Sequence, residues 1–273
     1  MTQFSALLRK HFVESRWLLG LSCFAFCAFG MLIAWLAKGY EKIVDSGDIE
    51  LIARRGGPFR GLGGSNMDGS TTALEVAFWN HPLIILTVLC WVISRGAAAV
   101  AGEIERGTID VTLSRPISRS TFLSSQIVFT VIGLVSLIIC LISGIFIGNL
   151  LWTPATPPNP LTLLKPGLMV LTLGLAVYGY TLPLSALDVV RWRAVAAATS
   201  ATLLGLIGMS IAPMYKDQDW IGKISVFYFY APVTVAMKTD PLAFNAIVLT
   251  GVFLVGAAIA FVLFNQRDLP CNS

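Results

Sequence analysis

Between Gly102 and Arg119 the chain reads GEIERGTIDVTLSRPISR. Glu103, Glu105, Arg106, Asp110, Arg115 and Arg119 crowd charges of both signs into this run, and Gly107 and Pro116 add a flexible point and a turn. The chemistry open to such a set is non-covalent. It contains no base beside a nucleophile and no cluster of metal ligands, whereas mixed charges on a short polar helix can fix register against a partner. Long apolar stretches flank the run on both sides, so it projects from a membrane bundle. The most economical partner is a soluble protein docked there.

The elements that must position this run follow from composition. Of the 273 residues, 56% are hydrophobic and only 12% charged, against about 25% charged in a soluble domain. Mean hydropathy is +0.77, so lipid is the solvent for much of the chain. A span needs about 20 mostly apolar residues. Six stretches qualify, at 17–36, 78–98, 126–151, 166–187, 194–214 and 243–264. The first, from Trp17 to Leu36, has no small-residue cleavage site after it and reads as a retained span. Cys23, Cys27, Cys90, Cys140 and Cys271 form no disulfide framework. Cys23 and Cys27 lie four apart with no further ligand near them in sequence, and read as small buried hydrophobes.

Orientation follows from the basic residues. With the N-terminus inside, the inner side holds Arg9, Lys10, Arg16, Arg95, Arg106, Arg115, Arg119, Arg191, Arg193 and Arg267. The short loop Arg191-Trp192-Arg193 weighs most, because short loops obey the positive-inside rule best. Trp17 and Trp192 mark the inner interface, and Trp35, Trp79, Trp152 and Trp220 the outer one.

The connecting segments differ in kind. In 1–16, Phe4, Leu7, Leu8 and Phe12 share a helical face while Arg9 and Lys10 lie elsewhere, which predicts an amphipathic helix in the inner interface. His11 reads as a bystander near the apolar face. Residues 37–77 form an outer loop whose Gly-rich centre lacks phosphate-loop spacing. Five prolines make 153–166 a stiff extended connector. The aromatic segment 215–242 is too short to cross and predicts an outer re-entrant or interfacial helix pair, broken at Pro232. Gly144 and Gly148, four apart, permit close helix packing.

Other chemistries are missing. No ionisable residue sits at mid-span, where a proton- or sodium-coupled carrier needs one. His11 and His81 lie at interfaces, no metal-ligand cluster is visible, and there is no Walker A motif. Nothing in the chain points to nucleic acid. Either energy comes from elsewhere or the protein is not a pump.

The second span continues past Arg95 as a strongly helical run, with Val100, Ile104, Gly107 and Val111 on one edge. The chain turns before Pro116, and Ser118 or Ser120 can cap the next helix. Residues 99–121 therefore read as a short helical hairpin at the cytosolic surface, or else as a solvated polar loop with no partner.

The pattern E-x-E-x-G-T-[LI]-x-x-x-L-x-x-P-[IV]-x-R is matched by Glu103, Glu105, Gly107, Thr108, Ile109, Leu113, Pro116, Ile117 and Arg119. It resembles the signature between the second and third spans of ABC-2 type transport permeases. Ile109 stands where Leu is usual, and Thr112 where an aliphatic is common. The resemblance implies a single all-α transmembrane domain over 1–273, with six transmembrane helices and an N-terminal interfacial helix in the type V exporter arrangement. It implies a coupling helix carrying Glu103, Glu105, Arg106, Gly107, Thr108, Asp110, Arg115, Pro116 and Arg119, seated in a groove of a separate ATPase. Two permease copies or paralogues would pair and dock two ABC ATP-binding subunits, which hold ATP and Mg. This chain would then carry no catalytic residue, metal or cofactor, and its other neighbours would be membrane lipids. The implied setting is a prokaryotic inner membrane with both termini cytosolic, and the implied role export. The alternative is a non-transporting scaffold or assembly factor that docks another cytosolic protein.

Overall fold

The computed structural model describes residues 3–45, 75–109, 114, 117–153, 160–211, 219–236 and 242–267. These form α1 (Gln3–Asp45), α2 (Pro82–Ala98), α3 (Ala101–Glu105), α4 (Arg119–Trp152), α5 (Pro160–Leu187), α6 (Arg191–Ile211), α7 (Asp219–Ile224), α8 (Pro232–Ala236) and α9 (Leu242–Gln266). Short 3-10 turns stand at Phe78–Asn80 and Val226–Phe229, and no strand occurs among the described residues. Five helices, α1, α4, α5, α6 and α9, are long and apolar enough to cross a membrane. Large apolar side chains point outward along them, with Trp17 80%, Leu150 79% and Ile247 69% exposed. Such a surface suits lipid, not water, and the chain is an all-helical membrane protein. The remaining expected span, 78–98, is the 17-residue α2, about 26 Å long at 1.5 Å per residue.

Side-chain neighbours fix the helix directions. His11 meets Ser125 and Gly30 meets Ile145, so α1 and α4 run parallel. Val88 meets Gly174 and Gly96 meets Thr181, so α2 runs parallel to α5. Gly179 meets Gly256 and Arg267 meets Ala186, so α9 does the same. Trp91 against Gly133 and Arg95 against Gln126 set α2 antiparallel to α4. One end of the bundle therefore gathers the starts of α1, α4 and α6, the ends of α2, α5 and α9, and all of α3. The most buried long helix is α5, the hub against which α2, α6, α8 and α9 pack.

Two glycine seams bring backbones together. A Cβ on Gly144 would stand inside contact distance of the Cys27 carbonyl oxygen, and one on Gly148 would meet the Cβ of Ala34 at 2.6 Å. The Gly144/Gly148 pair thus has α1 as its partner. In the second seam, Pro183 lacks the N–H that would bond the Gly179 carbonyl. That carbonyl faces Gly256 of α9, where a side chain would collide with it. The missing donor and the missing side chain fall at the same crossing.

Several boundaries differ from the sequence reading. The expected interfacial helix and first span are one helix, which runs on to Asp45 inside the expected outer loop. No proline interrupts it. Its N-terminal part buries Leu7, His11 and Ser15, spaced four apart, while Phe12 is exposed and Phe4 and Leu8 are half-buried. The packing partner is α4, and it selects the narrower stripe. His11 packs its ring near Phe129 and its Nε2 lies 3.3 Å from the Ser125 hydroxyl.

Residues 160–166, expected as extended connector, are helical. Pro160 occupies the first position, where a missing N–H is harmless, and Leu163 is fully buried. The described part of 215–242 is two short helices around a 3-10 turn. The Tyr230 hydroxyl donates to the Trp79 carbonyl at 2.7 Å, which ties this segment to the start of α2. Cys140 comes beside Cys23, an approach invisible in sequence, yet no metal-binding group of three forms among the described residues. The Gly-rich run at 54–64 lies outside the described residues.

Candidate functional site

Sequence propensity predicts that α2 continues unbroken through Arg106. Instead it stops at Ala98, turns at Val100 (φ −123°, ψ −60°) and restarts as α3. The cause is a residue on another helix. Ser185 of α5 accepts hydrogen bonds from the backbone N–H groups of Val100 (3.2 Å) and Ala101 (3.0 Å) and donates to the Ala97 carbonyl (2.9 Å). One buried hydroxyl thus replaces the helical bonds lost at the break. Ala97, Ala99 and Ala101, all fully buried, are small enough to let α5 approach.

The short α3 closes at Gly107. Its N–H donates to the Ile104 carbonyl at 2.9 Å, and its φ is +68°, a conformation that glycine adopts without strain. This left-handed turn sends the chain back over α3, so the Thr108 hydroxyl reaches the Glu103 carboxylate at 2.6 Å. Glu103 is 2% exposed. It also accepts from Lys10 of α1 at 3.2 Å and from Arg106 at 2.8 Å. Burial works against ionisation of this carboxyl. The Thr108 hydrogen bond and the charges of Lys10 and Arg106 outweigh it and hold the group below its ordinary value of 4.5.

A depressed carboxyl pKa stabilises the fold above the unfolded value and loses that contribution as pH falls through the folded one. Glu103 should therefore give a flat stability profile from about pH 6 to 8 and a loss below about pH 4.5. In Glu103→Gln the acid-side slope should diminish. Thermal melts of both proteins across that range measure this, and identical acid slopes would contradict the assignment.

Glu105 does different work. Its Oε2 accepts from the backbone N–H of Arg191 at 2.8 Å, at the first residue of α6. A carboxylate there meets unsatisfied donors and the positive end of the helix dipole. Asp188 reinforces it, accepting from the N–H groups of Val189 and Val190 and facing Arg193 at 3.4 Å.

Arg119 turns to α9 instead of outward. It donates to the carbonyls of Phe264 (3.0 Å), Asn265 (3.3 Å) and Arg267 (2.6 Å), closing the C-terminal end of that helix. Arg267 in turn donates to the carbonyls of Ala186 and Asp188 at the end of α5. Arg119→Gln should cost about 1–2 kcal/mol by releasing a charged donor from these carbonyls, read as a lower midpoint in thermal unfolding. An unchanged midpoint would remove Arg119 from this role.

Of the remaining expected docking residues, Arg106 and Glu105 are exposed, while Gly107 and Thr108 are half-buried. Asp110, Arg115 and Pro116 lie outside the described residues. Ser118, not Ser120, caps α4, accepting from the Thr121 N–H at 3.1 Å. From the interfacial set, Lys10 joins the site through Glu103, and Arg9 is exposed. Sequence reasoning missed Ser185. Its one available signal was a small polar residue near the end of a span, matched by the alanine-rich run 97–101.

The result is a compact element between α2 and α4, held from three sides and offering an exposed tip. Its buried polar contacts link α1, α5 and α6, and its exposed side chains suit non-covalent contact. Comparison with protein-family models and with curated proteins finds no match.

Proposed function

We propose that this chain is the membrane-spanning permease subunit of an ABC transporter of the ABC-2 type, acting in export. ATP hydrolysis takes place in separate cassette subunits, which hold ATP and Mg. Two permease copies or paralogues and two cassette subunits make the working assembly. The observation that carries the reading is the anchoring of the signature-bearing segment. Lys10 binds it to α1 through Glu103, Glu105 binds it to α6, and Ser185 clamps it to α5. A push on the tip at Arg106–Thr108 is thereby shared among three long helices, which suits a coupling element. The break at Val100 makes it a stapled joint, not a rigid continuation of α2.

The alternation of six helices, with α1 beginning and α9 ending at one end, supports six crossings. Arg9, Lys10, Arg16, Arg95, Arg106, Arg119, Arg191, Arg193 and Arg267 belong to that end, which supports a cytosolic setting for it; the prokaryotic inner membrane is part of the ABC-2 reading itself. Purification of the chain from its native membrane in mild detergent tests the reading. A co-purifying chain with a Walker A motif and ATPase activity is the expected result. Retention of a different cytosolic protein, with no ATPase, would favour a scaffold or assembly factor. Recovery of the chain alone would overturn both.

A further inference from the structure

Beside the coupling element lies a polar cavity of about 190 Å³, lined by residues of α1, α2, α3, α4 and α6. A single buried water needs only about 10–15 Å³ of such space, so the cavity has room for a larger group. Its acids are already matched. Glu103 binds Lys10, Arg106 and Thr108, and Glu14 stands 3.9 Å from Lys10.

Two of its guanidiniums have no carboxylate partner among the described residues. Arg95 donates to the neutral Ser15 hydroxyl at 3.0 Å and the Gln126 amide oxygen at 3.2 Å, and lies over the Phe129 ring. Its buried Nε has no acceptor among the described residues. The Arg191 guanidinium donates to the Ser94 hydroxyl at 2.8 Å. A cavity with surplus guanidinium charge and unused N–H groups is complementary to a phosphate. The wall also includes Leu18, 54% exposed, and Leu21 one turn further along α1 is 68% exposed. That apolar track leads from the cavity along the lipid-facing side of α1 and suits an acyl chain.

We propose that this cavity binds a phosphate group, held between Arg95 and Arg191, with an anionic phospholipid headgroup or a free phosphate as its source. The site joins the start of α1, the end of α2 and the start of α6, so its occupancy bears on the same joint that Glu103 and Ser185 hold.

The test uses the full chain in detergent and reads the thermal midpoint during titration with three probes: dioleoyl-phosphatidylglycerol, dioleoylglycerol and inorganic phosphate. Phosphatidylglycerol should raise the midpoint saturably, and dioleoylglycerol should not. A comparable rise with inorganic phosphate alone would keep the site and make a free anion its ligand. In Arg191→Gln the half-saturating concentration should increase at least about tenfold, the equivalent of one lost charged contact. The same increase is expected in Arg95→Gln, while Arg9→Gln, outside the cavity, should match the parent. Should Arg95→Gln fail to fold, Arg191→Gln decides alone, since that side chain is exposed and donates to a serine. Equal shifts from dioleoylglycerol and phosphatidylglycerol, no shift from any probe, or an unchanged half-saturation in Arg191→Gln would each overturn the proposal.

Discussion

Replacing Gly144 by leucine should prevent α1 and α4 from meeting, and the purified protein should be unstable or unrecoverable. The obstacle is backbone, not a side chain that could rotate away, since any Cβ at Gly144 points at the Cys27 carbonyl. Overpacking a core costs typically about 1–3 kcal/mol, and this crossing has less freedom to adjust, so roughly 3 kcal/mol or more is expected. At about 2–4 °C per kcal/mol for a chain of this size, the midpoint should fall by on the order of 10 °C. Gly20→Leu is the internal control, because nothing lies within 4 Å of a Cβ there. Equal midpoints for the two variants would mean that the α1–α4 seam is not as close as described.

Ser185→Ala should have the second large effect, confined to the joint between α2 and α3. The substitution leaves the buried N–H groups of Val100 and Ala101 without their acceptor. A buried unsatisfied polar group costs about 1–3 kcal/mol, so a loss of about 2–6 kcal/mol is expected for the pair. Hydrogen exchange gives the local reading. The amides of residues 100 and 101 should exchange at least about 30-fold faster, corresponding to about 2 kcal/mol. Ser210→Ala, which removes an exposed hydroxyl bonded within its own helix to Leu206, should leave both readings unchanged. Unaltered exchange at 100 and 101 in Ser185→Ala would show that another group holds the break.

These two sites differ in how legible they were. The membrane class, the helical runs and the close-packing glycines at 144 and 148 follow from composition and spacing, because lipid imposes long apolar helices on any chain that enters it. The same logic marked 103–119 as the polar exception. What spacing could not supply was the destination of each polar side chain. Glu103 and Glu105 look like docking charges in sequence, yet Glu103 is buried among Lys10, Arg106 and Thr108, and Glu105 caps α6. Those partners lie up to 93 residues away, beyond any local pattern. The break within 96–106 has the same origin. Alanine propensity favours continuity, and the tertiary contact from Ser185 overrides it. The long α1 shows the converse, since a helix without a breaker continues past the point where its hydropathy falls.

The proposed role requires that the tip of the segment between α2 and α4 be gripped by an ATP-hydrolysing subunit. A photo-crosslinking residue placed at Ser114, an exposed residue of the same segment between α2 and α4, and at Trp220, which is exposed in α7, tests this in intact membranes. Position 114 should yield an adduct with a protein bearing a Walker A motif, and position 220 should not. Adducts to such a protein from 220 and none from 114, or none from either position, would contradict it.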